Sequence, residues 1–324
     1  ADALKSVSKT GAWTKSATAS GESVTIDVEK AGYYLVYGTV DAKNGTTGDT
    51  EVVSAVILDS TDKTATVHPK ADAPTLDKKI TGEHKLDDAG LEATAQVGQQ
   101  VEFTITSVRP DTTGYTNYYF NIHDTMTTGL DFTSNDSLTL TINNVEQTAV
   151  TDYTIAWSNE NRTFDLTIPQ TTLNKYSKGD QIKVVYTATL NSTALTTDFE
   201  RNTAYLEYSS NPYTDTDKNK TPDEDVYVVD INIDVDKIAN GDTSKHLANA
   251  KFVLYRNDGT GATDYYKWDD TNKKVTWVAK ADAEVLTTDA SGKLTNKIRG
   301  LDKGTYKLLE TEAPEGYNLL AAPI

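Results

Sequence analysis

Apolar and polar residues alternate with a period of two along much of the chain, which is the pattern of half-buried β-strands. Residues 101–105 (VEFTI), 138–142 (LTLTI) and 164–168 (FDLTI) show this alternation clearly. No stretch of any length shows the 3.6-residue period of an amphipathic helix. Strands at these intervals predict an all-β protein made of tandem Ig-like β-sandwich domains.

The strand patterns divide the 324 residues into three predicted segments. Residues 1–73 contain predicted strands at 24–28, 33–37 and 52–58, with a turn at 43–45. Because about 70 residues fold alone only marginally, we expect this segment to be the C-terminal part of a partial N-terminal domain. Residues 74–228 hold the longest series of strands and end in a polar, acidic loop. Residues 229–324 form a further β unit.

The charge and composition exclude several classes of function. A formal net charge of -17 argues against binding to nucleic acid or to an anionic membrane surface. The chain has no cysteine, so its domains need large cores or another kind of cross-link. It shows neither an apolar run of membrane-spanning length nor a signal-peptide pattern. We therefore expect a soluble protein or a trimmed fragment of a longer one.

Three polar residues lie in phase with the apolar side chains of their predicted strands: Lys78, Asp124 and Asn202. Burial lowers the pKa of a lysine and raises that of a carboxyl group. A neutral amine can then attack the asparagine carboxamide while the protonated acid polarises the carbonyl and transfers protons. Ammonia leaves and an isopeptide bond remains. Lys79 and Asn211 stay open as alternatives to Lys78 and Asn202, although strand phase favours the latter two.

The last segment carries a second pair of the same kind. Lys237 falls on the apolar phase of the alternating residues 229–235, and Glu310 falls in phase with Tyr306 and Leu308. A weaker pattern joins Asp215, Asp217 and Asn219, whose spacing is that of a calcium loop. Because the glycine and the terminal glutamate of an EF-hand are missing, a solvated acidic loop is the favoured interpretation. We expect no other cofactor.

Five sequence motifs resemble those of a known family. The segment YKLLETEAPEGY (residues 306–317) closely resembles the E-box of Gram-positive sortase-assembled pilins, and LANAKFVL (247–254) resembles the LxGAxFxL signature of Cna-B-type domains, with Asn249 in place of glycine. The segments DTMTTGLDF (124–132) and NTAYLEYSSNP (202–212) resemble the Cna-A-like, isopeptide-forming domain of backbone pilins. VHPK (67–70) resembles the pilin motif ending in VYPK, with His68 replacing tyrosine.

This resemblance implies a backbone (shaft) subunit of a covalently polymerised, cell-wall-anchored pilus outside a Gram-positive bacterium. Lys70 would be the nucleophile that a pilin sortase joins to the next subunit, so the implied partners are that sortase and neighbouring copies in a head-to-tail filament. Ancillary pilins and host surface ligands are further candidates. The alternative is an ancillary or tip pilin, or a wall-anchored adhesin that binds host matrix.

The resemblance also assigns roles to the internal residues. Lys78 and Asn202 would form the intradomain bond with Asp124 as the catalytic acid. Lys237 would be the Cna-B lysine and Glu310 its acid, with the asparagine partner expected beyond the last residue of this sequence. The two acids fall in different domains and so do not form a glycosidase-like pair. We expect no enzyme activity other than self-directed, single-turnover bond formation.

Overall fold

A computed structural model describes residues 16–18, 24–28, 32–40, 50–58 and 74–324, except 114, 133, 135–136, 211–215, 258 and 262. This part of the chain is almost entirely β-structure, as predicted. Its longest α-helix has only four residues. None of its helices is long and apolar enough to cross a bilayer.

The first two strands, β1 (Gly32–Val40) and β2 (Thr50–Leu58), form an antiparallel pair in which Gly32 lies opposite Leu58. They contain the strands predicted at 33–37 and 52–58. The strand predicted at 24–28 is wrong: this stretch has no regular structure, and Val24 and Ile26 are exposed. Alternation there is not matched by a partner strand within the described residues, and a strand without a partner leaves its backbone groups unpaired. The turn predicted at 43–45 lies outside the described residues.

The described part of residues 76–229, called here the central sandwich, contains thirteen strands and one short α-helix. In chain order they are β3 (Leu76–Thr81), β4 (Glu92–Thr94), β5 (Gln100–Val108), β6 (Phe120–Met126), β7 (Leu130–Phe132), β8 (Thr139–Ile142), β9 (Val145–Glu146), β10 (Thr154–Ser158), β11 (Thr163–Thr167), α1 (Gln170–Leu173), β12 (Gln181–Leu190), β13 (Glu200–Ser209), β14 (Lys218–Lys220) and β15 (Glu224–Val229). A 3₁₀ turn at Ser192–Thr196 precedes β13.

Two sheets of the central sandwich pack face to face. One has the strand order β3-β5-β12-β8-β9, with β7 also paired to β12. The other has the order β10-β11-β6-β13-β15-β4, with β14 also paired to β13. Strand β12 shows why the sheets meet, since every second residue is buried: Ile182, Val184, Tyr186, Ala188 and Leu190. Alternation along the facing strands places a continuous apolar core between the two sheets.

Residues 231–324, called here the C-terminal unit, contain the remaining strands. They are β16 (Ile231–Ile233), β17 (Ile238–Ala239), β18 (Asp242–His246), β19 (Lys251–Arg256), β20 (Tyr265–Asp269), β21 (Lys274–Val278), β22 (Leu286–Thr287), β23 (Ile298–Leu301) and β24 (Tyr306–Glu312). The main sheet has the order β21-β20-β19-β22, with β24 also paired to β19. Strand β16 pairs with β23, and β17 pairs with β18.

Asn249, which replaces the glycine of the Cna-B-type signature, keeps a backbone conformation that glycine favours. Asn249 has a φ of 64°, in the left-handed region that normally favours glycine. Asparagine is one of the few other residues that enter this region at modest cost. The Asn249 amide donates to the Thr288 carbonyl at 2.8 Å, which fixes the turn just before β19.

The central sandwich and the C-terminal unit are hydrogen-bonded to each other. The Val97 amide donates to the Gly300 carbonyl at 2.9 Å, and the Val97 carbonyl accepts from the Val275 amide at 3.1 Å. Beside these backbone bonds, the Asp302 carboxylate accepts from the Thr94 hydroxyl at 2.6 Å and lies 2.9 Å from His84 Nδ1. The two units therefore share backbone and side-chain contacts in addition to the chain that joins them.

Candidate cross-linking site

Lys78, Asp124 and Asn202 meet in the core of the central sandwich, and each is 0% exposed. Lys78 comes from β3 of one sheet, while the other two come from the adjacent strands β6 and β13 of the facing sheet. Ala204 lies directly opposite Asp124, so Asn202 is two residues along the same face of β13. Alternation thus directs all three side chains into the space between the sheets.

A fourth residue, Tyr186 on β12, connects these three groups. Lys78 Nζ donates a hydrogen bond to Asp124 Oδ2 and another to the Tyr186 hydroxyl at 2.8 Å. The hydroxyl donates in turn to Asp124 Oδ2 at 2.6 Å. Asn202 Nδ2 donates to the same hydroxyl at 2.8 Å. The amine, the carboxyl group and the carboxamide are therefore held in one hydrogen-bonded cluster.

Within the described part of the chain, two oxygens of the cluster have no hydrogen-bond partner: Asp124 Oδ1 and Asn202 Oδ1. Buried polar atoms are normally paired, because an unmade hydrogen bond costs about 1–3 kcal/mol. An ionised carboxylate can only accept, whereas a protonated one carries a donor. A proton on Asp124 therefore supplies the kind of donor that the Asn202 carbonyl lacks.

Burial shifts both ionisable groups toward their neutral forms. Desolvation lowers the pKa of Lys78, and the attraction of Asp124 opposes this only in part. Desolvation likewise raises the pKa of Asp124 against the opposing effect of Lys78. The Phe103 ring, whose centroid lies 5.6 Å from Lys78 Nζ, contributes to this apolar surrounding. The site therefore favours an amine and a carboxylic acid, which are the forms that amide-bond formation requires.

The geometry distinguishes Lys78 from Lys79, which the sequence left open. The Lys79 side chain is 47% exposed and pairs with Asp77 at 3.1 Å on the outer face of β3. It is therefore directed away from Asp124 and Asn202. Asn211, the alternative to Asn202, lies outside the described residues.

The second predicted pair also meets, in the C-terminal unit. Lys237 Nζ lies 2.9 Å from Glu310 Oε1, and their side chains are 13% and 0% exposed. The two atoms are at ion-pair distance but lack hydrogen-bond geometry, so Oε1 has no hydrogen-bond partner among the described residues. Glu310 Oε2 accepts from the Leu320 amide at 2.8 Å. In the described part of the chain, neither side chain is hydrogen-bonded to an asparagine.

A buried glutamate supports the turn beside the cross-linking site. Glu200, two residues before Asn202, is 1% exposed. Its carboxylate accepts from the Gly129 amide at 2.8 Å, from the Thr197 hydroxyl at 2.6 Å and from the Thr127 hydroxyl. These bonds tie the β6–β7 turn to the start of β13, which carries Asn202.

Sequence reasoning did not identify Tyr186 or Glu200 as members of this site. Tyr186 lies in phase with the apolar residues of β12, but the chain has 18 tyrosines and core tyrosines are common. A tyrosine hydroxyl on a buried strand face indicates this site only when the packing of the two sheets is known. Glu200 does lie in phase with Asn202, and that in-phase acid is the signal that could have found it.

Two other predicted sites are not resolved by this geometry. Lys70 lies outside the described residues, and so does Asp215 of the calcium loop. Asp217 is exposed and Asn219 lies in β14. Within the described residues no group of three or more His, Cys, Asp or Glu side chains could hold a metal ion. Both sites stay predictions.

Comparisons with known proteins agree on one kind of relative. A family model described as the SpaA prealbumin-like fold domain matches residues 232–324. The backbone protein of pilus 2b from group B streptococcus is 31% identical over 76% of this chain and 87% of that chain, with a TM-score of 0.57. No curated protein matches the chain.

More distant structures share the fold. The full-length major pilin RrgB from Streptococcus pneumoniae is 19% identical, with a TM-score of 0.62 over 91% of this chain and 78% of that one. The T6 backbone pilin of serotype M6 Streptococcus pyogenes is 20% identical, with a TM-score of 0.60 over 92% of this chain and 62% of that one.

Proposed function

This chain belongs to the backbone pilins of Gram-positive bacteria, and we propose that it is a shaft subunit of a covalently polymerised surface pilus, stabilised by internal isopeptide bonds. The proposal joins two kinds of covalent bond. One lies inside the central sandwich between Lys78 and Asn202. The other joins Lys70 to the next subunit through a pilin sortase. Head-to-tail contacts of this kind generate an open filament.

The buried cluster of Lys78, Asp124 and Asn202 is the observation that carries the internal part. Burying an unpaired ammonium ion is costly, so a lysine in a core needs a partner or a reaction. Here the lysine faces both an acid and a carboxamide inside an apolar core. The arrangement suits amide formation better than a permanent ion pair, because both pKa shifts favour the neutral forms.

The reaction follows from these forms. The neutral Lys78 amine attacks the carbonyl carbon of Asn202, and the protonated Asp124 stabilises the charge that develops on the carbonyl oxygen. The carbon–nitrogen bond to Nδ2 then breaks and ammonia leaves. The product is an amide between strands β3 and β13 of facing sheets. Because the cluster is assembled by folding, no external enzyme is needed for this step.

Intact mass spectrometry tests the internal bond. Formation of one bond removes ammonia and lowers the mass by ~17 Da, a covalent change that survives denaturation. A tryptic map should contain one branched peptide that joins the Lys78 and Asn202 regions. Lys78→Ala and Asp124→Asn should both restore the unmodified mass in this region. Lys79→Ala is the matched control, since its exposed side chain should leave the bond intact, and a wild-type protein with no branched peptide would refute the internal bond.

The intersubunit bond rests on the VHPK motif around Lys70, which the sequence places between two predicted β segments. The test is assembly of covalent polymers by the cognate pilin sortase, followed on denaturing gels. Lys70→Arg should abolish the ladder because a guanidinium is a poor nucleophile at neutral pH. Lys63→Arg, seven residues upstream, is the control. Polymers that persist at wild-type level in Lys70→Arg would assign the linkage to another lysine.

A second internal bond is proposed for the C-terminal unit, with Lys237 as nucleophile and Glu310 as its acid. The contact between these two side chains supports it. The segment after β24 supports it as well, because Ile324 and Leu308 exchange two backbone hydrogen bonds of 2.8 and 3.1 Å. In this antiparallel pairing, residues that follow Ile324 would lie opposite Lys307 and Tyr306, on the strand that carries Glu310. A chain extended past Ile324 should lose a further ~17 Da, and Glu310→Gln should prevent that loss.

A further inference from the structure

The hydroxyl of Tyr186 touches both nitrogen atoms between which a proton must pass during bond formation. It lies 2.8 Å from Lys78 Nζ and 2.8 Å from Asn202 Nδ2. Lys78 Nζ becomes the amide nitrogen, and Asn202 Nδ2 becomes ammonia. Among the described residues, the hydrogen bonds of Asn202 Nδ2 go to Tyr186 alone, whereas Asp124 contacts Lys78 and Tyr186. Asp124 therefore reaches the attacking nitrogen but is not hydrogen-bonded to the leaving one.

We propose that Tyr186 is a catalytic residue of the internal bond-forming reaction, whose hydroxyl carries a proton from the attacking nitrogen of Lys78 to the leaving nitrogen of Asn202. This proposal rests on the proposed Lys78–Asn202 bond. It assigns Tyr186 a role in the bond-forming reaction that differs from the role of Asp124. Asp124 stabilises the carbonyl oxygen, and Tyr186 makes the nitrogen of the carboxamide able to leave.

The proton balance is complete without any other reactant. Attack forms the bond from Lys78 Nζ to the Asn202 carbonyl carbon and moves the carbonyl π electrons onto oxygen. Nζ, now carrying two protons and a positive charge, gives one proton to the Tyr186 oxygen. The hydroxyl turns from Asp124 and gives its own proton to Nδ2, which has become a basic amine. The carbonyl re-forms, the bond to Nδ2 breaks, ammonia leaves with three protons, and Tyr186 is unchanged.

Packing of the ring fixes the hydroxyl in this position. Tyr186 is 0% exposed and lies directly opposite Phe103 in the β5–β12 register. Its ring stacks on Phe103 with centroids 5.5 Å apart and meets Phe164 of the facing sheet edge-on at 5.3 Å. A ring held from both sheets has little freedom to swing, so its oxygen stays between the two nitrogens.

The protonation state of the phenol suits this role. Burial and the neighbouring Asp124 raise the pKa of Tyr186 well above its ordinary value. The hydroxyl therefore keeps its proton at neutral pH and can donate it to the leaving nitrogen. Its two lone pairs accept from Lys78 and Asn202 in the unreacted state, so all of its hydrogen-bonding capacity is used by the reacting groups.

Tyr186→Phe tests the proposal, because it removes the oxygen and keeps the ring. Full-length chains made by cell-free synthesis should be quenched in acid at intervals, and the branched Lys78–Asn202 peptide quantified by mass spectrometry. We expect bond formation to slow by about 100-fold or more, the usual contribution of a positioned proton-transfer group. Tyr208→Phe is the matched control: this tyrosine lies in the same core and is 0% exposed, but its hydroxyl has no hydrogen-bond partner among the residues that the structure describes. Its rate should equal that of wild type.

The possible outcomes distinguish a failure of the Tyr186 role from a failure of the proposed Lys78–Asn202 bond. If wild type forms the bond and natively folded Tyr186→Phe forms it at the same rate, the proton-carrier role is refuted and the internal bond stands. If wild type itself shows no loss of ammonia, the proposed bond fails first. Far-UV circular dichroism of each variant reports whether it has folded.

A second variant decides the matter if Tyr186→Phe does not fold. 3-Fluorotyrosine, incorporated at position 186 alone, keeps the hydroxyl and its hydrogen bonds but makes the phenol more acidic. A proton carrier of altered acidity should change the rate of bond formation and shift its pH profile. An unchanged rate and profile would mean that the hydroxyl serves only to hold the cluster together, and would refute the proposal.

Discussion

Replacing Asn202 by alanine is expected to destabilise the central sandwich far more than the loss of one side chain would. The change removes the acceptor of the proposed bond and leaves the Lys78 amine unreacted. The loss of one hydrogen bond made by the side chain at this position would account for only about 1 kcal/mol. The larger part comes from the unfolded state, which regains the conformational freedom that the cross-link removes.

The size of this effect follows from the positions of the two residues. Tyr186 is 108 residues after Lys78, and Asn202 is 16 residues after Tyr186. The bond therefore closes a loop of about 124 residues, for which the chain-entropy relation gives about 5 kcal/mol at 25 °C. For a domain of this size, each kcal/mol shifts the Tm by about 2–4 °C. We expect the Tm of the sandwich to fall by about 10–20 °C in Asn202→Ala.

A double-mutant cycle separates the bond from the side chains that form it. Lys78→Met removes the amine but keeps an apolar chain of similar length, and it is combined with Asn202→Ala. Intact mass first establishes which proteins carry the bond. Guanidinium unfolding followed by circular dichroism then gives the free energy of unfolding of all four proteins. Because either single change already abolishes the bond, the double variant should be about as stable as the less stable single variant.

Two results would refute this reasoning. One is an Asn202→Ala protein that lacks the bond and yet unfolds at the wild-type midpoint. The other is full additivity, in which the double variant loses the sum of the two single effects. Additivity would show that each side chain acts by its own packing and hydrogen bonds, with no contribution from the covalent loop.

Three further outcomes can be measured on the same protein. Burial lowers the pKa of Lys78 from 10.5 and raises that of Asp124 from 3.8, so bond formation should proceed well below pH 10. Its rate should fall at low pH, where the Lys78 amine is protonated, and at high pH, where the Asp124 carboxyl is ionised. Asn249→Ala should lower the free energy of unfolding, measured by chemical denaturation, by about 1–2 kcal/mol because the φ of Asn249 is positive. Asn249→Gly should change it little, and equal effects of the two substitutions would contradict this. Gly129→Ala should lower the free energy of unfolding by at least about 2 kcal/mol, because a Cβ there would lie 2.3 Å from Glu200 Cδ and displace the carboxylate. A variant with the wild-type Tm would contradict this.

Strand phase accounts for most of what the sequence predicts about the site. Lys78, Asp124 and Asn202 converge because each takes a core-facing position, and a period of two determines the face of a strand. The same argument directs Lys79 to solvent, as its pairing with Asp77 shows. Phase therefore identifies which side chains enter the core, even before the order of the strands in the sheets is known.

Phase does not identify which core residues touch. Tyr186 lies on a strand that is paired through β5 to β3, and only the docking of the second sheet brings its hydroxyl to Asp124 and Asn202. Alternation also fails at residues 24–28, which have no partner strand within the described residues. Both failures have one cause: a local pattern records the preference of a segment, whereas its neighbours are determined by tertiary packing.

The placement of Lys78 on β3 and Asn202 on β13 would also make the proposed cross-link depend on correct folding. During synthesis Lys78 leaves the ribosome long before Asn202, so the amine must wait, unreacted, until nearly the whole sandwich is assembled. A chain with incorrectly paired strands would not bring the Lys78 amine to the Asn202 carboxamide and would remain without the cross-link. Because the ammonia released by the proposed reaction would be lost to bulk solvent, the step would not be reversed. Folding of this domain would thus become a one-way process, in which each molecule that reaches the native state is retained there.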